Sequence, residues 1–119
     1  MKYVFTRDNV LKEMANLSTD KTGIDHGTIY ISSEEGNHGP RIKFYRGKPS
    51  KTNPSASITI SKTPEVVEDA IGLKTSEIKD VFEFVKINKK RLLYMWYHGA
   101  EMIDDTWEIH KKSLKKIQG

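Results

Sequence analysis

The chain of 119 residues contains no cysteine. That excludes a disulfide framework, a thiolate nucleophile and thiolate-bound zinc or iron–sulfur centres. No apolar run approaches the about 18 residues that a membrane span requires, so no membrane partner is expected. The opening "MKYVFTRDNVLKEMANLS" has no uninterrupted apolar core, and it predicts no secretion signal. Together these absences predict a cytoplasmic protein. There is no Gly-x-Gly-x-x-Gly or Walker A phosphate loop and no nucleophile-elbow pattern, so the common nucleotide-binding and hydrolase motifs give no catalytic residue.

Acidic residues are missing from particular stretches. Residues 37–62 carry six basic side chains and no acid, and residues 111–119 carry four basic and no acid. The formal net charge is only +4, so the positive charge is concentrated rather than high. Clustered cations attract polyanions, or simply keep a surface solvated.

What is present is enough for a core. Hydrophobic residues make up 36% and charged residues 30% of the chain, a balance compatible with one folded domain over residues 1–119. Three short runs alternate with period two: "TIYIS", "RIKFY" and "SITIS". Ile29, Ile31, Ile42, Phe44, Ile58 and Ile60 fall on one side, which is the pattern of half-buried strands. Short connections predict an antiparallel meander with a packed face and a wet face. "KTPEVVEDAIG" fits either a helix start at Thr63–Pro64 or an extension of the sheet, with Gly72 as its stop.

Helical spacing predicts a long helix over 76–98, capped by Thr75 or Ser76 and stopped by Gly99. Ile78, Val81, Phe82, Val85, Leu92, Leu93 and Trp96 share its apolar stripe. Its other side carries Phe84, Ile87, Tyr94 and Met95, joined by Tyr97. This implies burial on two sides, or contact with a protein partner or a second copy in a homodimer. A last helix is expected over 101–117, with Ile103, Trp107, His110, Leu114 and Ile117 on one stripe. Asp104 and Asp105 near its start and Lys111, Lys112, Lys115 and Lys116 near its end suit the helix dipole. A shorter N-terminal helix over 10–17 is an option, capped by Asp8 or Asn9. The fold class expected is therefore α+β, a small antiparallel sheet covered by a long helix.

The four histidines, His26, His38, His98 and His110, lack the local spacing of a metal site, so no metal or other cofactor is expected. His110 lies on an apolar stripe, where packing is the simpler role. "NHGPRIKFYRG" followed by "INKKRLLYMW" resembles DUF4160, a family of small bacterial domains of unknown function. Asn37, His38 and Pro40 match its Asn/Asp-His-x-Pro turn. Asn88, Leu92, Leu93 and Trp96 match its Asn-x-x-x-Leu-Leu-x-x-Trp helix end. The family commonly continues with Pro-His-x-His, whereas this chain has Arg41-Ile42-Lys43-Phe44. Any role of that His pair does not carry over. The resemblance implies a sheet followed by a helix, and a toxin–antitoxin, phage or mobile-element setting.

The leading functional expectation is a non-enzymatic binding protein that acts on a protein partner. The alternative is nucleic-acid binding, or a metal-independent ribonuclease centred on His38. The candidate binding residues are Tyr30, His38, Arg41, Lys43, Tyr45, Arg46 and Lys48. Tyr30, Arg41, Lys43 and Tyr45 would share the outer sheet face, where aromatics can stack bases and cations can meet phosphates.

Overall fold

A computed structural model describes residues 16–25, 27–31, 39–50, 52–67 and 72–117. Four strands form one antiparallel sheet in sequence order: β1 (Asn16–Leu17), β2 (Gly27–Ile31), β3 (Arg41–Arg46) and β4 (Ser55–Thr59). With its helices this makes an α+β fold. The register places Ile29 opposite Phe44, Ile31 opposite Ile42, and Ile42 opposite Ile58. These apolar partners are all buried. Alternation therefore sets the pairing, since a one-residue slip would turn every isoleucine outward.

Gly27 shows how tightly this face is filled. A Cβ there would overlap the Phe44 ring. After β4 the chain reverses and Val66 bridges back to Ile58. Thr59 N–H donates to Glu65 C=O, and Val67 N–H donates to Ser57 C=O. "EVV" thus extends the sheet edge rather than starting a helix.

The helical layer consists of α2 (Thr75–Ile87), α3 (Lys89–His98) and α4 (Asp104–Ser113), while α1 (Thr19–Thr22) is a single turn between β1 and β2. Val81, Phe84, Val85, Leu92, Met95, Trp96 and Trp107 join the sheet isoleucines in one buried cluster. Burial on two sides of the helix is real for Phe84 and Met95, while Ile87, Tyr94 and Tyr97 stay exposed. Among the described residues no helix is long and apolar enough to cross a membrane.

Several expected boundaries change. Asn16 and Leu17 are strand, because Leu17 pairs with Ile29 and is fully buried; the rest of the N-terminal helix expected over 10–17 lies outside the described residues. The cap of α2 is Lys74, which has no side-chain cap bond, and Glu77 accepts from the Lys74 backbone N–H at 2.7 Å. The long helix expected over 76–98 is two helices that meet at Asn88.

Asn88 is 4% exposed and leaves helical geometry with φ −115° and ψ 13°. Its Nδ2 donates to Phe84 C=O at 3.0 Å and to Lys115 C=O at 2.9 Å. Its Oδ1 accepts from Lys115 N–H at 2.7 Å. Bonding both main-chain groups of Lys115, as a neighbouring strand would, holds the C-terminal segment extended.

The last helix therefore ends at Ser113 and not at 117, since Leu114 is already extended at φ −71° and ψ 143°. Ile117 N–H then donates to Thr22 C=O. Leu114 and Ile117 close the core while Ile103, expected on the same stripe, is 66% exposed. Gly23 ends α1 in the left-handed region at φ 80°, and a Cβ there would sit 2.7 Å from the Ile117 carbonyl oxygen.

Asn88→Ala strands two main-chain groups of Lys115. Orphaned polar groups of this kind cost about 1–3 kcal/mol. The expected result is a lower urea midpoint with an unchanged denaturant slope.

Candidate functional site

Alternation along β2 and β3 does bring Tyr30, Arg41, Lys43 and Tyr45 to one face. Tyr30 stands opposite Lys43, Thr28 opposite Tyr45, and Arg41 opposite Thr59. The face is not simply open to water. All four side chains are half-buried, and Ser57, opposite Lys43, is 2% exposed. Asn16, Tyr30, Arg41 and Ser57 each already make an interaction within the chain. Lys43 Nζ lies 5.5 Å from the centre of the Tyr45 ring, within range of a cation–π contact. Lys48 is exposed, and its carbonyl anchors Asn53 at 2.7 Å. His38 and His26 lie outside the described residues.

Arg46 is separated from this set. It closes β3 on the side of Ile42 and Phe44 instead of opening a loop. Its Nε donates to Glu77 Oε2 at 2.9 Å, and one Nη donates to Glu77 Oε1 at 2.5 Å and to Gly72 C=O at 2.6 Å. This two-pronged pair ties the end of β3 to the first turn of α2. It raises the pKa of Arg46 and holds the Glu77 carboxyl down at about 2, with the Lys74 backbone bond assisting.

A second collection of cations was not assembled by the sequence patterns. Lys86 lies on the last turn of α2, Lys89, Lys90 and Arg91 on the first turn of α3, and Lys115 on the C-terminal segment. They line one open cleft of about 630 Å³, together with Tyr94 and His110. Among the described residues its lining contains no carboxylate. Lys115 arrives from 27 residues away because Asn88 holds its main chain.

Lys86, in the last turn of α2, suits the helix dipole, but the three cations that open α3 do not. Cations at a helix N-terminus oppose the dipole, yet α3 opens on three of them with no acid in its first turn. Among the described residues Lys86, Lys89, Lys90 and Lys115 take no part in an ion pair.

Arg91 forms the wall toward α4. Its Nη1 lies 2.8 Å from His110 Nδ1. A guanidinium can only donate, so Nδ1 accepts and the imidazole is neutral with its proton on Nε2. Burial, and then the Arg91 charge, lower the pKa of His110. The ring of Tyr94 lies 5.0 Å from that of His110 and 4.4 Å from that of His98, tilted by about 30° to each. Tyr94 is nevertheless 48% exposed.

In comparisons with protein-family models, curated proteins and solved structures, nothing matched the chain. Asn88 is the helix break, and Leu92 and Trp96 pack in the core. Among the described residues no group of three His, Asp or Glu is placed to hold a metal ion.

The depressed Glu77 pKa fixes a sign. The unfolded carboxyl titrates near its ordinary 4.5 and the folded one near 2. The pair therefore contributes fully above about pH 4.5, and its contribution is lost as the pH falls toward 2. Thermal melts across that window should lose roughly 1–2 kcal/mol, allowing for solvent screening, and Glu77→Gln should flatten that part of the profile.

Proposed function

We propose that the chain is a binding protein for a phosphate-bearing polyanion, a nucleic acid, and that the cleft at the junction of α2 and α3 is where it binds. The observation that carries this is the convergence of Lys86, Lys89, Lys90, Arg91 and Lys115 on one open cleft whose described lining has no carboxylate. Cations that no carboxylate among the described residues pairs gain most from an external anion. The outer sheet face supports the reading less well, because its side chains are half-buried and Tyr30 and Arg41 are already engaged.

The ligand is better matched to nucleic acid than to an acidic protein surface. The cleft combines cations with an exposed aromatic ring, the pairing that backbone and base together require. This role also agrees with the toxin–antitoxin or mobile-element setting that the DUF4160 resemblance implies.

Titration of a labelled oligonucleotide across a salt series tests it. About four phosphate contacts predict a log–log slope near −3. Lys90→Ala and Lys86→Ala should each weaken binding and flatten the slope by about one unit. A flat wild-type slope, or no change in either variant, removes the proposal.

A further inference from the structure

We infer that Arg91 and His110 form a proton-gated clamp in the cleft: protonation of His110 releases Arg91, and the two cations together take a phosphate group of the ligand. This coupling rests on the nucleic-acid reading above and names the regulation of its site. Arg91 is held back from an anion, because its Nη1 lies 2.8 Å from His110 Nδ1. That contact exists only while the imidazole is neutral. A protonated ring donates from both nitrogens and accepts at neither, so proton uptake turns a hydrogen bond into a contact between two cations. The pair must then part, or an anion must stand between them and accept from both.

The surroundings of the ring fix the sign. Arg91 and the Tyr94 ring face His110 from α3, and His98 lies against the same Tyr94. Lys86 of α2, Lys89 and Lys90 of α3 and Lys115 of the C-terminal segment line the cleft with it. On α4 itself, Lys111 pairs with Glu108 at 3.1 Å. Among the described residues no carboxylate lines the cleft to offset a protonated His110. Burial first, and the Arg91 charge second, lower the His110 pKa. A bound phosphate acts in the opposite direction, since an opposite charge nearby favours the charged form. A group whose pKa is higher in the bound state strengthens binding as the pH falls.

The test measures binding of a fluorescent oligothymidylate to the full chain between about pH 8 and 5, a window in which histidine titrates and neither thymine nor a phosphodiester does. Affinity should rise at least about threefold toward the acid end, within the limit of about tenfold per pH unit that one coupled proton allows. The salt slope should steepen by about one unit as Arg91 joins the phosphate contacts. His110→Gln keeps a neutral acceptor for Arg91, and should hold the affinity of the alkaline end at every pH. His98 is not part of the cleft lining, so His98→Gln should keep the wild-type rise. In the wild-type chain, nuclear magnetic resonance should show the His110 ring titrating at a higher pH once the oligonucleotide is bound, a readout that needs no variant. A flat pH profile overturns the inference and leaves the nucleic-acid reading standing. So does a rise that survives in His110→Gln or vanishes in His98→Gln, or a His110 titration indifferent to the oligonucleotide. Absence of binding at every pH overturns both.

Discussion

The carboxamide of Asn88 is the interaction on which the layout of the helical layer depends. An asparagine in mid-helix can bond locally to the backbone instead of continuing the ladder. Here it does so toward Phe84 and also reaches Lys115. That one side chain bonds the last turn of α2 and holds the C-terminal segment in extended form. Leu114 and Ile117 then close the core, and Ile117 reaches the turn at Thr22. A buried amide with both its donor and its acceptor engaged is stable where a half-satisfied one would be a liability.

Charge is handled in two different ways in this molecule. Arg46 and Glu77 form a closed pair that links the sheet to the first turn of α2. The cations around Asn88 are the opposite case, since the described residues supply them no carboxylate. Formal charge alone does not separate these cases. Residues 37–62 look the more basic in sequence, yet much of that charge is turned to internal use, whereas a shorter stretch, 86–91, faces an open cleft.

The strands were legible because alternation is a local signal. Ile29, Ile31, Ile42, Phe44 and Ile58 all point inward as their spacing indicates. The apolar helix stripe was equally legible, and Val81, Val85, Leu92 and Trp96 all lie in the core. The break at Asn88 was not, because the stripe continues in phase on both sides of it. Nothing local marks that residue as a clamp, since its partner lies 27 positions later. The end of the last helix is hidden from the sequence for the same reason. Leu114 and Ile117 fit a helical stripe, but their burial comes from an extended chain. The cleft combines residues from both of these regions, so no local pattern reveals it. One sequence clue was present: "NKKR" places cations at a helix start, where the dipole disfavours them.

The position of Lys115 also sets an order of events during synthesis. Asn88 emerges from the ribosome long before the residues that occupy its carboxamide. Until residues 114–117 are out, the break between α2 and α3 has no clamp, the turn at Thr22 has no partner in Ile117, and the cleft lacks one of its walls. A nascent chain can build its sheet and its first long helix early. Closure of the core by Leu114 and Ile117 therefore follows the sheet and α2 in the order of synthesis.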